Sequence, residues 1–198
     1  MKKIFQILAL ITIFSCNAQT VVPITSGDYF EKTPNYYKKD VNNEFNKFEG
    51  EWVYTNGNTS LTFRLKKETQ YQTNPTSNYQ DLLVGEYQYV ESGIEKVNTL
   101  ANFDDSTISG YGHQISGGIY FHELPSYCID NSQIQEVKIH VFIGDPNDDD
   151  ISGLMILRYV NDNGTEKIQV CLRDETTLGN DLNARLEIPD GYYEMIKL

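Results

Sequence analysis

From residue 50 onward, apolar and polar residues alternate with a period of two along most of the chain, and that alternation predicts β-strands. In "EWVYTNGNTSLTFRLKK", Leu61, Phe63 and Leu65 share one face and Thr62 and Arg64 the other, with a strong turn signal at Asn56-Gly57. The segment reads as a hairpin. "LVGEYQYVESGIEKVNTL" repeats the arrangement around Glu91-Ser92-Gly93. Residues 135–174 supply three long strands joined at 144–150 and 161–164, and "ARLEI" and "GYYEMIKL" supply two short ones. About ten strands without a long helix predict an all-β fold, an antiparallel up-and-down barrel. "DVNNEFNKF" is the exception: Asp40 is a plausible N-cap, and Val41, Phe45 and Phe48 at helical spacing predict one or two turns of helix plugging the end of the sheet. Long polar loops are expected at 66–80 and 101–117, where a β scaffold usually carries its binding groups.

The first residues follow a different pattern. Lys2 and Lys3 precede a nearly continuous apolar run from Ile4 to Phe14, too short for a spanning helix, which needs about 20 residues. A basic start followed by a short apolar run reads as a secretory signal over residues 1–15. Ile13-Phe14-Ser15-Cys16 resembles a bacterial lipobox, which implies acylation of Cys16 and anchoring by two or more chains. Cys16-Asn17-Ala18 also fits an ordinary signal-peptidase site that releases a soluble chain beginning at Gln19. Lipidation is the favoured of the two. Residues 16–39, polar and with Pro23 and Pro34, read as the anchor cysteine and a flexible tether, leaving 40–198 as one β domain.

Charge narrows the partners. The chain has 16 basic and 28 acidic residues, and removing residues 1–15 takes away Lys2 and Lys3, leaving a net −14. That surface repels nucleic acid and anionic headgroups, so no nucleic acid is expected, and membrane contact is expected through the lipid anchor only. With Cys16 set aside, Cys128 and Cys171 remain, and an oxidising compartment would let them pair. In "KIQVCLRD" the alternation puts Cys171 on the more polar face, where it would staple the "SYCID" loop to the outside of the sheet; two separate thiols are the alternative.

"FNKFEGEWVY" resembles the opening motif of lipocalins and related calycin barrels, a short helix leading into Gly-x-Trp, here Gly50 and Trp52. The resemblance implies that Trp52 packs across the closed end of the barrel beneath a late-strand arginine, Arg173 or Arg185. The whole chain is similar to uncharacterised lipoproteins of Bacteroidota, with a lysine-led signal ending in Ser-Cys-Asn-Ala-Gln and an acidic, Asn/Tyr-rich β domain. Surface-export tags in such lipoproteins place acidic residues soon after the cysteine. Asn17-Ala18-Gln19-Thr20 has none, which implies the periplasmic face of the outer membrane. Asp105-Ser106-Thr107 resembles the short O-glycosylation sequon of the same bacteria.

Candidate chemistry is sparse. Fourteen tyrosines suit a face that binds sugar or peptide by ring stacking and hydroxyl hydrogen bonds, and Tyr71, Tyr79, Tyr111 and Tyr120 lie in or beside the two long loops. They serve equally well as strand residues. Asp145, Asn147, Asp148, Asp149 and Asp150 crowd one hairpin loop as a weak calcium candidate, although a turn needs such residues without a metal. His140 falls on the solvent face beside Lys138, while His113, His122, Glu123, Asp104 and Asp105 would support acid–base chemistry only by converging. No nucleophile elbow, phosphate loop or metalloprotease motif is present, and no cofactor is called for. The expectation is a non-enzymatic binding module for a small apolar ligand or a glycan. The alternatives are a filled barrel docking on an envelope protein and, third, a hydrolase.

Intact mass of the protein from its native membranes is expected to give a chain beginning at Cys16 with added acyl mass, and a gain of about two mass units on reduction. An unmodified chain beginning at Gln19 would overturn the anchor, and no gain would leave the thiols unpaired.

Overall fold

Branched and aromatic side chains at alternate positions build eleven strands among the described residues of this computed structural model, which are 19–25, 33–121, 128, 136–176 and 184–198. They are β1 (Thr20–Pro23), β2 (Tyr36–Lys39), β3 (Gly50–Asn56), β4 (Thr59–Tyr71), β5 (Tyr79–Glu91), β6 (Ile94–Asn98), β7 (Ile115–Phe121), β8 (Lys138–Asp145), β9 (Asp148–Asp162), β10 (Thr165–Asp174) and β11 (Gly191–Lys197). Eight of them (β3, β4, β5, β7, β8, β9, β10 and β11) form a closed antiparallel ring in chain order. β11 returns to β3 through Ile196 opposite Val53 and Lys197 opposite Trp52. β6 stands outside the ring, because β5 pairs directly with β7, Leu83 opposite Gly117 and Gly85 opposite Ile115. The fold is an all-β up-and-down barrel of lipocalin-like architecture.

Alternation decides which side chains fill the barrel. Leu61, Phe63 and Leu65 on β4, Leu83 and Tyr87 on β5, Ile139, Val141 and Ile143 on β8, Met155 and Leu157 on β9, and Ile168 and Val170 on β10 are all buried in one core. An eight-stranded ring is just wide enough for such side chains to meet across it.

One end is plugged. Phe45, within a short 3-10 turn (Glu44–Lys47), and Phe48, which caps its end, are buried with Trp52. The Trp52 indole N–H donates to the Phe48 carbonyl at 2.7 Å, and Tyr159 meets both rings edge-on. The cation over Trp52 is Lys197, 5.3 Å from the ring centroid, and not an arginine. Arg173 pairs with Glu175, and Arg185 donates to the Ala184 carbonyl. Lys197 wins because it lies directly opposite Trp52 across the closing ladder. Gly50, at φ +124°, leaves room for it, since a Cβ there would stand 3.0 Å from Lys197 Cε.

Several expectations change. The stretch read as a tether carries β1 and β2, a parallel pair docked on β5, and buried Tyr37 donates to Asp81. The expected helix is only the 3-10 turn, and Val41 is exposed. Residues 66–71 continue β4 instead of opening a loop. "ARLEI" forms no strand; Leu186 and Ile188 dip into the core from an irregular segment. Lys138 lies on the outer face yet is fully buried, and His140 is half-buried, burial lowering the pKa of its ring. On the same outer side, Cys128 is joined by a disulfide to Cys171 across 43 residues, with Ile156 beneath.

Asp40 ties plug to barrel. One carboxylate oxygen accepts the Glu44 amide and the Tyr120 hydroxyl, and the other accepts the Phe45 amide and the Lys67 ammonium at 3.0 Å. Desolvation pushes this carboxyl up, but the Phe45 and Glu44 amides and Lys67 outweigh it and hold its pKa below the ordinary value. A carboxyl held low when folded adds stability above its unfolded pKa, about 3.9, and loses it as the pH falls through the lower folded value. Asp40→Ala is expected to cost about 3–5 kcal/mol in urea unfolding at neutral pH. Asp40→Asn is expected to flatten the stability loss below about pH 4. Parallel wild-type and Asn curves would contradict this role.

Candidate functional site

Clefts among the described residues open on the outside of the barrel. One, the main cleft, of about 290 Å³, runs between the Tyr111–Gln114 segment and the ends of β8 and β9. Its polar groups come from Gln114, Ser116, Asp145, Asp149 and Ser152. Tyr111 and Phe142 border it and also a smaller neighbouring depression of about 50 Å³ over Gly117, Gly118 and Ile119. Both residues thus border both hollows, and they are 49% and 48% exposed. The third cleft, about 380 Å³, lies at Gln19, Pro34, Gln70 and Tyr79.

Local packing holds the main cleft open. The 3-10 turns Leu100–Asp104 and Gly110–Gly112 lie over the outer face of β5. Phe103 anchors the first beneath Arg64 and Lys66, whose cationic ends sit 4.4 and 4.8 Å from its ring. In the second, the Gly110 amide donates to Glu68 at 2.7 Å, and a Cβ at Gly110 would overlap the Tyr71 ring. Tyr71 meets Tyr111 edge-on at 5.5 Å, and Gln80 donates to the Tyr111 hydroxyl at 2.8 Å.

Behind this wall, His113 Nδ1 is 2.8 Å from Glu86 Oε1, with side-chain exposures of 0% and 1%. Glu86 Oε2 and His113 Nε2 have no hydrogen-bond partner. A buried polar group left unpaired costs about 1–3 kcal/mol, so this arrangement asks for an explanation.

Of the four expected tyrosines, the structure brings together Tyr71 and Tyr111. Tyr79 borders the third cleft, and Tyr120 is in the plug, stacked on Phe45 with its hydroxyl on Asp40. The acidic hairpin is engaged in turn formation, Asp145 accepting the Asn147 amide and Asp148 the Asp150 amide. No group of three or more His, Cys, Asp or Glu able to hold a metal occurs among the described residues. Asp104 pairs with Arg64, and Asp105 with Thr107, so neither joins His113. Cys16, His122 and Glu123 lie outside the described residues. Glu86 and Phe142 were missed by sequence reasoning. Phe142 left a signal, an aromatic at an outward position of β8, whereas Glu86 looks like any outward strand residue.

The fold and the cleft define a class: a closed all-β barrel with a solid interior and a polar groove on its wall. No helix among the described residues is long and apolar enough to cross a membrane. The chain belongs to a family of unknown function (DUF6705), which matches residues 1–197. No curated protein and no solved structure matches it significantly.

His113→Ala would leave the buried Glu86 carboxyl without its partner and is expected to cost about 3–5 kcal/mol in urea unfolding. A loss below about 1 kcal/mol would contradict the pairing as a buried contact.

Proposed function

We propose that this protein is a non-enzymatic binding module that holds a glycan on the outer wall of its barrel. The carrying observation is the pair of half-exposed residues, Tyr111 and Phe142, bordering a cleft whose lining includes the amide of Gln114, the hydroxyls of Ser116 and Ser152 and the carboxylates of Asp145 and Asp149. Sugars present an apolar C–H face and a polar rim, and such a groove answers both at once. The small apolar ligand first expected in the barrel finds its place taken by the core, which moves the proposed site outside.

The cellular setting is proposed from the signal pattern: lipid anchoring at Cys16 on the periplasmic face of the outer membrane. Thr20 opens β1 four residues beyond that cysteine, so the anchor would hold the domain close to the bilayer. Docking of the barrel surface on another envelope protein is the alternative, supported by the same solid interior.

An array of neutral oligosaccharides is expected to show binding by the full chain, weakened about tenfold by either Tyr111→Ala or Phe142→Ala. Absence of binding, or binding indifferent to both substitutions, would overturn the glycan reading.

A further inference from the structure

The groove accounts for Tyr111 and Phe142 but not for the buried pair behind it. His113 borders the main cleft, follows the Gly110–Gly112 turn directly, and is oriented by Glu86 through Nδ1. Two polar atoms, His113 Nε2 and Glu86 Oε2, are left over. A carboxylate oxygen facing Nδ1 fits an Nδ1–H donor, which leaves Nε2 as the ring nitrogen without a partner.

We propose that Glu86 and His113 form a polar subsite of this cleft that receives a hydroxyl group of a neutral, hydroxyl-rich ligand. This rests on the reading of the cleft as a binding site and names the chemistry it selects. A hydroxyl-rich ligand suits both leftover atoms: beside a charged ring one hydroxyl accepts from Nε2–H while donating to Glu86 Oε2, and beside a neutral ring two neighbouring hydroxyls donate, one to Oε2 and one to Nε2. Carboxylate and phosphate ligands would meet Glu86 together with Asp145 and Asp149 of the cleft wall, three like charges. A cationic group could donate to the acids and to a neutral ring but has no lone pair to accept from Nε2–H of a charged one, whereas a hydroxyl both donates and accepts.

Both side chains are covered in this structure, so the Gly110–Gly112 turn has to lift for a hydroxyl to reach them. Its composition allows that. A Cβ at Gly112 would meet only Ile108 Cγ2, at 3.6 Å, so the turn is loosely packed at Gly112, and lifting gives up the Gly110 amide bond to Glu68 and its contact with Tyr71. The reward for lifting is the pairing of two groups that are otherwise buried without partners.

The test is nuclear magnetic resonance of the full chain, following the His113 ring nitrogens and the Tyr111 and Phe142 ring protons. The probes are glucose, galactose, mannose and N-acetylglucosamine, with glucuronate and glucosamine as charged comparisons. A neutral probe is expected to move the two aromatic rings and the His113 Nε2 signal together. Glu86→Gln, which keeps shape and removes charge, is expected to weaken that probe about tenfold or more while leaving the circular dichroism spectrum unchanged. If a probe moves Tyr111 and Phe142 but leaves His113 still, the subsite is overturned and the glycan reading survives. If glucuronate or glucosamine binds best, the choice of a neutral ligand is overturned. If no probe moves either aromatic ring, the groove reading falls and the subsite with it.

Discussion

An eight-stranded ring encloses only as much space as its inward side chains can fill, and here large ones fill it. Phe63 and Leu65 from β4, Tyr87 from β5, Ile143 from β8 and Leu157 from β9 are fully buried in one core, with Trp52 at its plugged end. Close packing of this kind is where a domain of this size draws most of its stability. It also pushes recognition to the exterior. The lipocalin-like architecture therefore serves here as a rigid wall, and the chemistry available to a partner is whatever that wall presents.

The additions to the ring shape the wall. β1 and β2 dock on β5 through Tyr37, whose hydroxyl donates to Asp81, and Asp81 in turn accepts the Asp40 amide at 2.9 Å. Asp40 holds the plug through two amides, a tyrosine and a lysine, so the N-terminal strands, the plug and β4 share one buried polar network. Elsewhere along β5, the Gly110–Gly112 turn leads into His113, the buried partner of Glu86, and forms one bank of the main cleft, with β8 and β9 as the other. The cleft thus belongs to the insertions, and the ring only supports it.

The ring was legible in the sequence because period-two alternation is a local signal. Leu61, Phe63 and Leu65 announced β4, and Ile139, Val141 and Ile143 announced β8. The decorations were not, because they depend on pairing across the fold. Nothing near Tyr37 says that it will find Asp81, 44 residues away. Glu86 looks like a surface glutamate until it meets His113 in a buried pair. Trp52 is buried beside Phe45 and Phe48, and the cation above it depended on which late strand closes the ring, where Lys197 faces it. Of the tyrosines, Tyr111 was legible as a loop aromatic, while Phe142 was hidden in a strand otherwise read for its core face.

A solid interior is the claim on which the external site depends, and the chain offers a clean reporter for it. Trp52 is its only tryptophan and sits fully buried at the plugged end of the barrel. The most direct measurement is its fluorescence during titration with apolar ligands that lipocalin-type cavities accept, such as long-chain fatty acids and retinol. A filled barrel predicts no saturable change in Trp52 emission. Saturable quenching at one ligand per chain would show a cavity in the ring and contradict the placement of recognition on the outer wall.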